Sequence, residues 1–370
     1  EALGVPRNDD FNGAQQEGTG YIQTTTKKGM RWSTAAGYLR GPAREKIDLK
    51  LQAMVEEITL EGRRVTGVRW TDKRGTHHAK ARREIVLSGG TFNSPQLLQL
   101  SGIGPGALLR DRGIEVRHDL PGVGENLQDH FGIGAEYRST VHSTVNDLYN
   151  NKLKGGLQLL RHLLFRTGPF ADNGNYSNTF IRSGPEIDRP DMMVTFMAWC
   201  TDEQLKPHPF SGFTILAEHM RPNSRGHVRI KGPKAKQQPE IQFNFFADEA
   251  DQRSAIAGLK FGRRIAATAP MSDCVDYELS PGKDVQSDPE LLEYCRANGL
   301  SLLHPVGTCK MGTGSDAVVD PRLRVHGLEG LRVADASIMP RIVTGNTNAA
   351  SIMIGEKASA LILEDMRELV

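Results

Sequence analysis

Glu84-Ile85-Val86-Leu87-Ser88-Gly89-Gly90-Thr91-Phe92-Asn93-Ser94-Pro95-Gln96-Leu97-Leu98-Gln99-Leu100 is the stretch that decides the fold class. Glu84 to Ser88 is an apolar run of strand length and reads as a buried strand. Two glycines then permit a tight turn, and the apolar run Gln96 to Leu100 follows. Asn93 or Ser94 is the expected N-cap, with Pro95 in the first helical turn. The segment therefore reads strand, Gly-rich turn, helix, a unit of α/β proteins.

Upstream, Val55 to Leu60 and Val65 to Trp70 alternate with turn signals at Gly62-Arg63 and Asp72 to Gly75, which predicts a small meander ending in the 84–88 strand. Lys80 to Arg83, the densest basic run, reads as a solvated strand edge. Downstream, Leu153, Leu157, Leu160 and Leu164 repeat on one helical face until Gly168-Pro169. Phe213 to Met220 and His227 to Ile230 read as strands. Residues 248–269 and 288–297 read as helices, as does a terminal segment carrying Ile354, Ala358, Leu361 and Ile362.

The chain has 370 residues, enough for two to three domains with a cleft. Its 46 Lys+Arg against 44 Asp+Glu leave a net charge of +2, which argues against a nucleic-acid partner. No apolar run reaches the ~18 residues of a membrane span, and the opening residues lack a signal-peptide pattern. Cys200, Cys274, Cys295 and Cys309 have no paired metal-ligand spacing, so no metal is expected and a cytoplasmic location is. Gly is in excess, 39 of 370, which suits an enzyme holding a large cofactor.

Two G-x-G-x-x-A strings, at 102–107 and 312–317, lack the preceding strand and following helix of a dinucleotide fingerprint and read as turns. No nucleophile elbow, P-loop or H-E-x-x-H occurs. The string 121–129 before His130 reads as a loop packed by its own hydrogen bonds. His304 stands at the mouth of the small-residue loop 305–312, and an imidazole there suits general-base work near neutral pH. Thr344-Gly345-Asn346-Thr347-Asn348 precedes the terminal helix, where caps and a helix N-terminus facing an electron-rich group both fit.

The run from Gly90 to Gly104 resembles throughout the second signature of the glucose–methanol–choline (GMC) flavin oxidoreductases, and of their choline-dehydrogenase-like members in particular. The resemblance continues through Pro121 to His130, His304 to Gly312, Val333 to Ser337 and Gly345 to Lys357. It implies α/β plus α+β architecture: an FAD-binding Rossmann-like domain, incomplete here, with an antiparallel-sheet substrate domain. Residues 1–130 and 301–370 would belong to the first, and 131–300 to the second.

By the same resemblance, His304 and Asn346 are the catalytic pair, and FAD is the cofactor. Val55, Gly89, Gly90, Asn93, Asp335, Ala336, Thr347 and Asn348 would line its site. The resemblance also implies a small-molecule alcohol as substrate, oxidised to an aldehyde, and dioxygen or a quinone-like electron acceptor. The family's opening strand–G-x-G-x-x-G–helix is absent, so a missing N-terminal segment of the same protein is an expected partner. A flavin-containing hydroxynitrile lyase and a non-catalytic binding module are the competing readings. Phe170, Tyr176, Phe196, Met197 and Trp199 are candidates for the substrate-cavity lining.

Overall fold

The computed structural model describes residues 1–368, which divide into two compact units. One comprises residues 1–46, 130–221 and 248–302; the other comprises 47–129, 222–247 and 303–370. The chain passes between them at 46/47, 129/130, 221/222, 247/248 and 302/303. Residues 1–46 and 222–247, however, fall in the unit opposite to the one expected. Strand pairing moves the first: Gly18–Tyr21 pairs antiparallel with Asn175–Ile181. For the second, Gln99 Oε1 accepts from the Ile230 N–H and its Nε2 donates to Val228 O.

The first unit is built on a seven-stranded antiparallel sheet. Its order is Gly18–Tyr21, Asn175–Ile181, Met192–Met197, Gly212–His219, Phe131–Ser139 and Val275–Ser280, with Leu300–Ser301 added on Phe131–Ser139. The period of two sorts the side chains. Ile133, Val194, Ile215 and Ala217 face the helix Glu249–Ala266, while Asn178, Thr195 and Glu218 face the other way. Gly258 lets this helix approach closely, since a Cβ there would come within 2.7 Å of the Ala217 Cβ.

In the second unit the meander is Met54–Glu61, Arg64–Asp72 and Gly75–Lys80, all antiparallel. The strand Ile85–Leu87 is not its last member, as expected, but pairs in parallel with Leu331–Val333. Burial explains the partner: Leu87 and Val333 enter one core with Leu98, Val306, Val319 and Ile354. The terminal helix runs Thr347–Glu368.

The helix after the two glycines begins earlier than the sequence predicts, spanning Gly90–Leu100 with Gly89 at the N-cap position. Ser94 is not a cap. Its hydroxyl donates to Asp335 Oδ2 (2.6 Å) and accepts from the Gly89 N–H (3.0 Å). Pro95 consequently sits inside the helix, where it cannot donate to the carbonyl of Thr91. That carbonyl accepts instead from Thr308 Oγ1 at 2.6 Å.

Candidate active site

His304 follows Leu303, whose backbone is left-handed (φ 61°), a costly conformation for a bulky residue that turns the chain at this point. The loop it opens is held from three sides. Asp129 Oδ1 accepts from the His304 N–H at 2.9 Å. Thr91 Oγ1 donates to Pro305 O at 2.7 Å, beside the Thr308 bond to Thr91 O. The carbonyls of Ser337 and Ile338 accept from the N–H groups of Cys309 and Met311, both at 2.8 Å.

The string 121–129 therefore does more than pack on itself. Gln128 and Val306 exchange backbone hydrogen bonds. The Gln128 side chain donates to Pro340 O and accepts from the Ile342 N–H, which spaces the His304 loop from the segment leading to Asn346.

Asn346 stands immediately before the terminal helix, after Gly345 at φ 157°. Its Nδ2 lies 3.0 Å from His304 Nε2. An amide N–H can donate only to an unprotonated ring nitrogen, so this contact places a lone pair on Nε2. Burial lowers the imidazole pKa below its ordinary value, in the same direction. The pair thus presents a neutral base beside an amide donor.

The expected cofactor residues fall in two groups. Val55, Gly89 and Asn93 line one cavity of about 570 Å³, together with Leu97, Gln96 and Gln237. Asp335, Ala336, Thr347 and Asn348 are not among its lining residues. Asp335 is buried and occupied: Oδ2 accepts from the Gly90 N–H and Ser94 Oγ, and Oδ1 from the Ser337 N–H. It fixes the Gly89-Gly90 turn and caps the short 336–338 helix that begins at Ala336. Gly90 has φ 81° and faces open space where a Cβ would stand. Thr347 is buried at the start of its helix and Asn348 is exposed.

In the sheet unit, Phe196 faces the helix side, where it lines a cavity of about 530 Å³ with Val194, Ile215, Phe261 and Ile265. Met197 shares the opposite face with Thr195 and Glu218. The sequence reading passed over Glu218. It is buried, its Oε1 lies 3.2 Å from Thr195 Oγ1, and burial pushes its carboxyl up to about 8. Ser254, His219 and Asp251 have the side chains of a hydrolytic triad, with contacts of 2.8 and 3.2 Å, but all three are buried and join a strand to a helix.

Comparison with known proteins decides the family. Models described as GMC oxidoreductase match residues 1–132 and 222–355. The chain is 38% identical over 368 residues to an alcohol dehydrogenase [acceptor] of Pseudomonas putida, covering 98% of this chain and 67% of that protein. The chain belongs to the GMC oxidoreductase family. This GMC chain is also 40% identical over 366 residues to an oxygen-dependent choline dehydrogenase of Brucella melitensis biotype 1, covering 97% and 66%. It spans about two thirds of the length of these relatives.

Solved structures agree on the GMC fold. Pyridoxine 4-oxidase from Mesorbium loti superposes with a TM-score of 0.85 at 28% identity, covering 97% of this chain and 67% of that one. Aspergillus oryzae formate oxidase, in a structure concerned with FAD modification, gives 0.92 at 25% identity, covering 100% and 69%. The expected architecture, with an antiparallel-sheet part and an α/β part, is the one observed.

Proposed function

We propose that this chain carries the alcohol-handling residues of an FAD-dependent oxidoreductase that acts on CH–OH donors and converts an alcohol to an aldehyde. The observation that carries the reading is the 3.0 Å contact that leaves His304 Nε2 unprotonated beside the Asn346 amide. A substrate hydroxyl between them gives its proton to Nε2, while Asn346 donates to the same oxygen and holds the developing alkoxide in one orientation. FAD, when bound, would supply the acceptor for the carbinol hydride, and its reoxidation would call for a small-molecule electron acceptor, dioxygen or a quinone-like compound.

The residues present fit FAD. Val55, Gly89 and Asn93 line a cavity large enough for part of it. Gly90 leaves its backbone open to close approach, and Asp335 and Ala336 shape that turn. Thr347 and Asn348 would stand at the flavin, where the N-terminus of the Thr347–Glu368 helix favours negative charge. We assign the FAD role to the unit of 47–129, 222–247 and 303–370, and the substrate role to the sheet unit. The named relatives are dehydrogenases and oxidases, which supports redox chemistry over a lyase or a binding module. Four free cysteines, three of them buried, support a reducing compartment such as the cytoplasm.

Anaerobic mixing of the FAD-loaded holoenzyme with aliphatic and aromatic alcohols is expected to bleach the flavin absorbance. Full flavin occupancy with no bleaching by any of them would sink the proposal.

A further inference from the structure

The helix Lys152–Phe165 turns its polar side inward. Gly155, Gln158 and His162 are the residues that face its own unit, whereas Leu153, Leu157, Leu160 and Leu164 are exposed, Leu153 to 75% and Leu164 to 65%. At 3.6 residues per turn these four leucines lie within roughly 60° of arc. Lys154 and Arg161 flank the stripe on one side and Lys152 on the other, each about a quarter turn away. Leu159, Leu163 and Phe165 are exposed as well.

A second basic element adjoins the end of this helix. Arg166 Nη1 lies 3.2 Å from Met30 Sδ in the hairpin Thr26–Lys27 and Met30–Arg31, and a Cβ at Gly29 would meet the Arg166 carbonyl. Lys27 stands over the Trp32 ring at 4.5 Å. Residues 24–44 and 150–171 together hold nine Lys and Arg and no Asp or Glu, in a chain whose whole excess is +2.

We propose that this surface docks in the plane of an anionic lipid bilayer. Fourteen helical residues measure about 21 Å, short of the ~30 Å hydrocarbon core, and among the described residues no helix is long and apolar enough to cross a membrane. Lying flat, the leucines and Phe165 enter the acyl boundary while the flanking cations reach headgroup phosphates. A second copy would bring like charges together. A nucleic acid would answer the charges and leave the leucines in water.

The test is flotation of the full chain with vesicles of phosphatidylcholine alone and of phosphatidylcholine mixed with phosphatidylglycerol, at rising salt. Binding is expected to the mixed vesicles, to be weak on the neutral ones, and to decline with salt. Leu157→Glu/Leu160→Glu and Lys152→Gln/Lys154→Gln/Arg161→Gln should each lower the bound fraction at least about tenfold, with circular dichroism unchanged. Failure to float with the mixed vesicles overturns the proposal, as does undiminished binding by either variant set. A dimer dissociated by Leu157→Glu/Leu160→Glu, or retention on DNA, without vesicle binding would assign the surface to self-association or to a polyanion instead.

Discussion

Asn346 and His304, 42 residues apart in the chain, meet through Nδ2 and Nε2 at 3.0 Å. If His304 is the base, His304→Ala should slow alcohol-driven flavin reduction by a factor on the order of 10² to 10⁴ with FAD retained. Asn346→Ala should be milder, about two- to tenfold, because it removes one orienting hydrogen bond worth roughly 0.5–1.5 kcal/mol. Stopped-flow reduction of each holoenzyme measures both. Near wild-type rates in His304→Ala would remove the residue from the chemistry.

The same contact sets a pH dependence. Burial lowers the His304 pKa below the ordinary 6.5, so the neutral base persists into more acid solution than a free imidazole would. The acid limb of the flavin-reduction rate is therefore expected to have its midpoint below pH 6.5. Asn346→Asp would put a carboxylate beside Nε2 and move that limb upward. A limb at or above 6.5 in the unaltered enzyme, or one that Asn346→Asp does not move, would contradict the assignment.

Thr308 supplies the donor that Pro95 lacks. Thr308→Val should leave the Thr91 carbonyl unpaired in the core and cost about 1–3 kcal/mol in unfolding free energy. Pro95→Ala restores a backbone N–H four residues beyond Thr91, so Thr308→Val should cost less in that background. Denaturant melts of the four proteins in the cycle give the answer, and strictly additive costs would show that the two donors do not share one acceptor.

Glu218 predicts a loss of stability with rising pH. Its carboxyl titrates at about 8 when folded, against an ordinary value of 4.5. Between those values the folded protein holds the proton and the unfolded chain has lost it, so stability falls by up to about 1.4 kcal/mol per pH unit. Protonated Glu218 can donate to Thr195 Oγ1, whose own proton then goes to Asn178 Oδ1 at 2.9 Å. Glu218→Gln should accordingly leave stability nearly unchanged at about pH 4.5 and raise it at about pH 8. Equal melting temperatures of the two proteins at the upper pH would refute this.

Local pattern carried much of the fold into view, and it failed where a distant partner overrode it. The period-two runs located the strands 54–61, 64–72 and 212–219. Gly75–Lys80 escaped notice because its side chains are polar and mostly exposed, and only its backbone pairing makes it a strand. Ser94 has the chemistry of an N-cap, yet its hydroxyl goes to Asp335, 241 residues away. The leucine repeat at 153–164 gave the correct helix but not what its face meets, since periodicity defines a stripe without saying which side is core. At the candidate site, His304 was singled out by residue type and neighbours and Asn346 by the family resemblance, and the two side chains meet at 3.0 Å. Asp129, Thr91 and Thr308 were not, because each acts through hydrogen bonds to residues far away in the sequence.

The proline inside the Gly90–Leu100 helix also bears on the timing of synthesis. Thr91 and its donor are separated by 217 residues, which at about 5–20 residues per second take on the order of 10 to 40 s to translate. Until Thr308 leaves the ribosome, the helix carries a carbonyl that its own backbone cannot satisfy, and Ile85–Leu87 waits longer still for Leu331–Val333. The segments enclosing His304 can close only after Ser337 to Asn346 have emerged. A nascent chain arrested before residue 308 would therefore present this half-built core to chaperones and proteases, whereas every residue of the sheet unit lies at or before position 302.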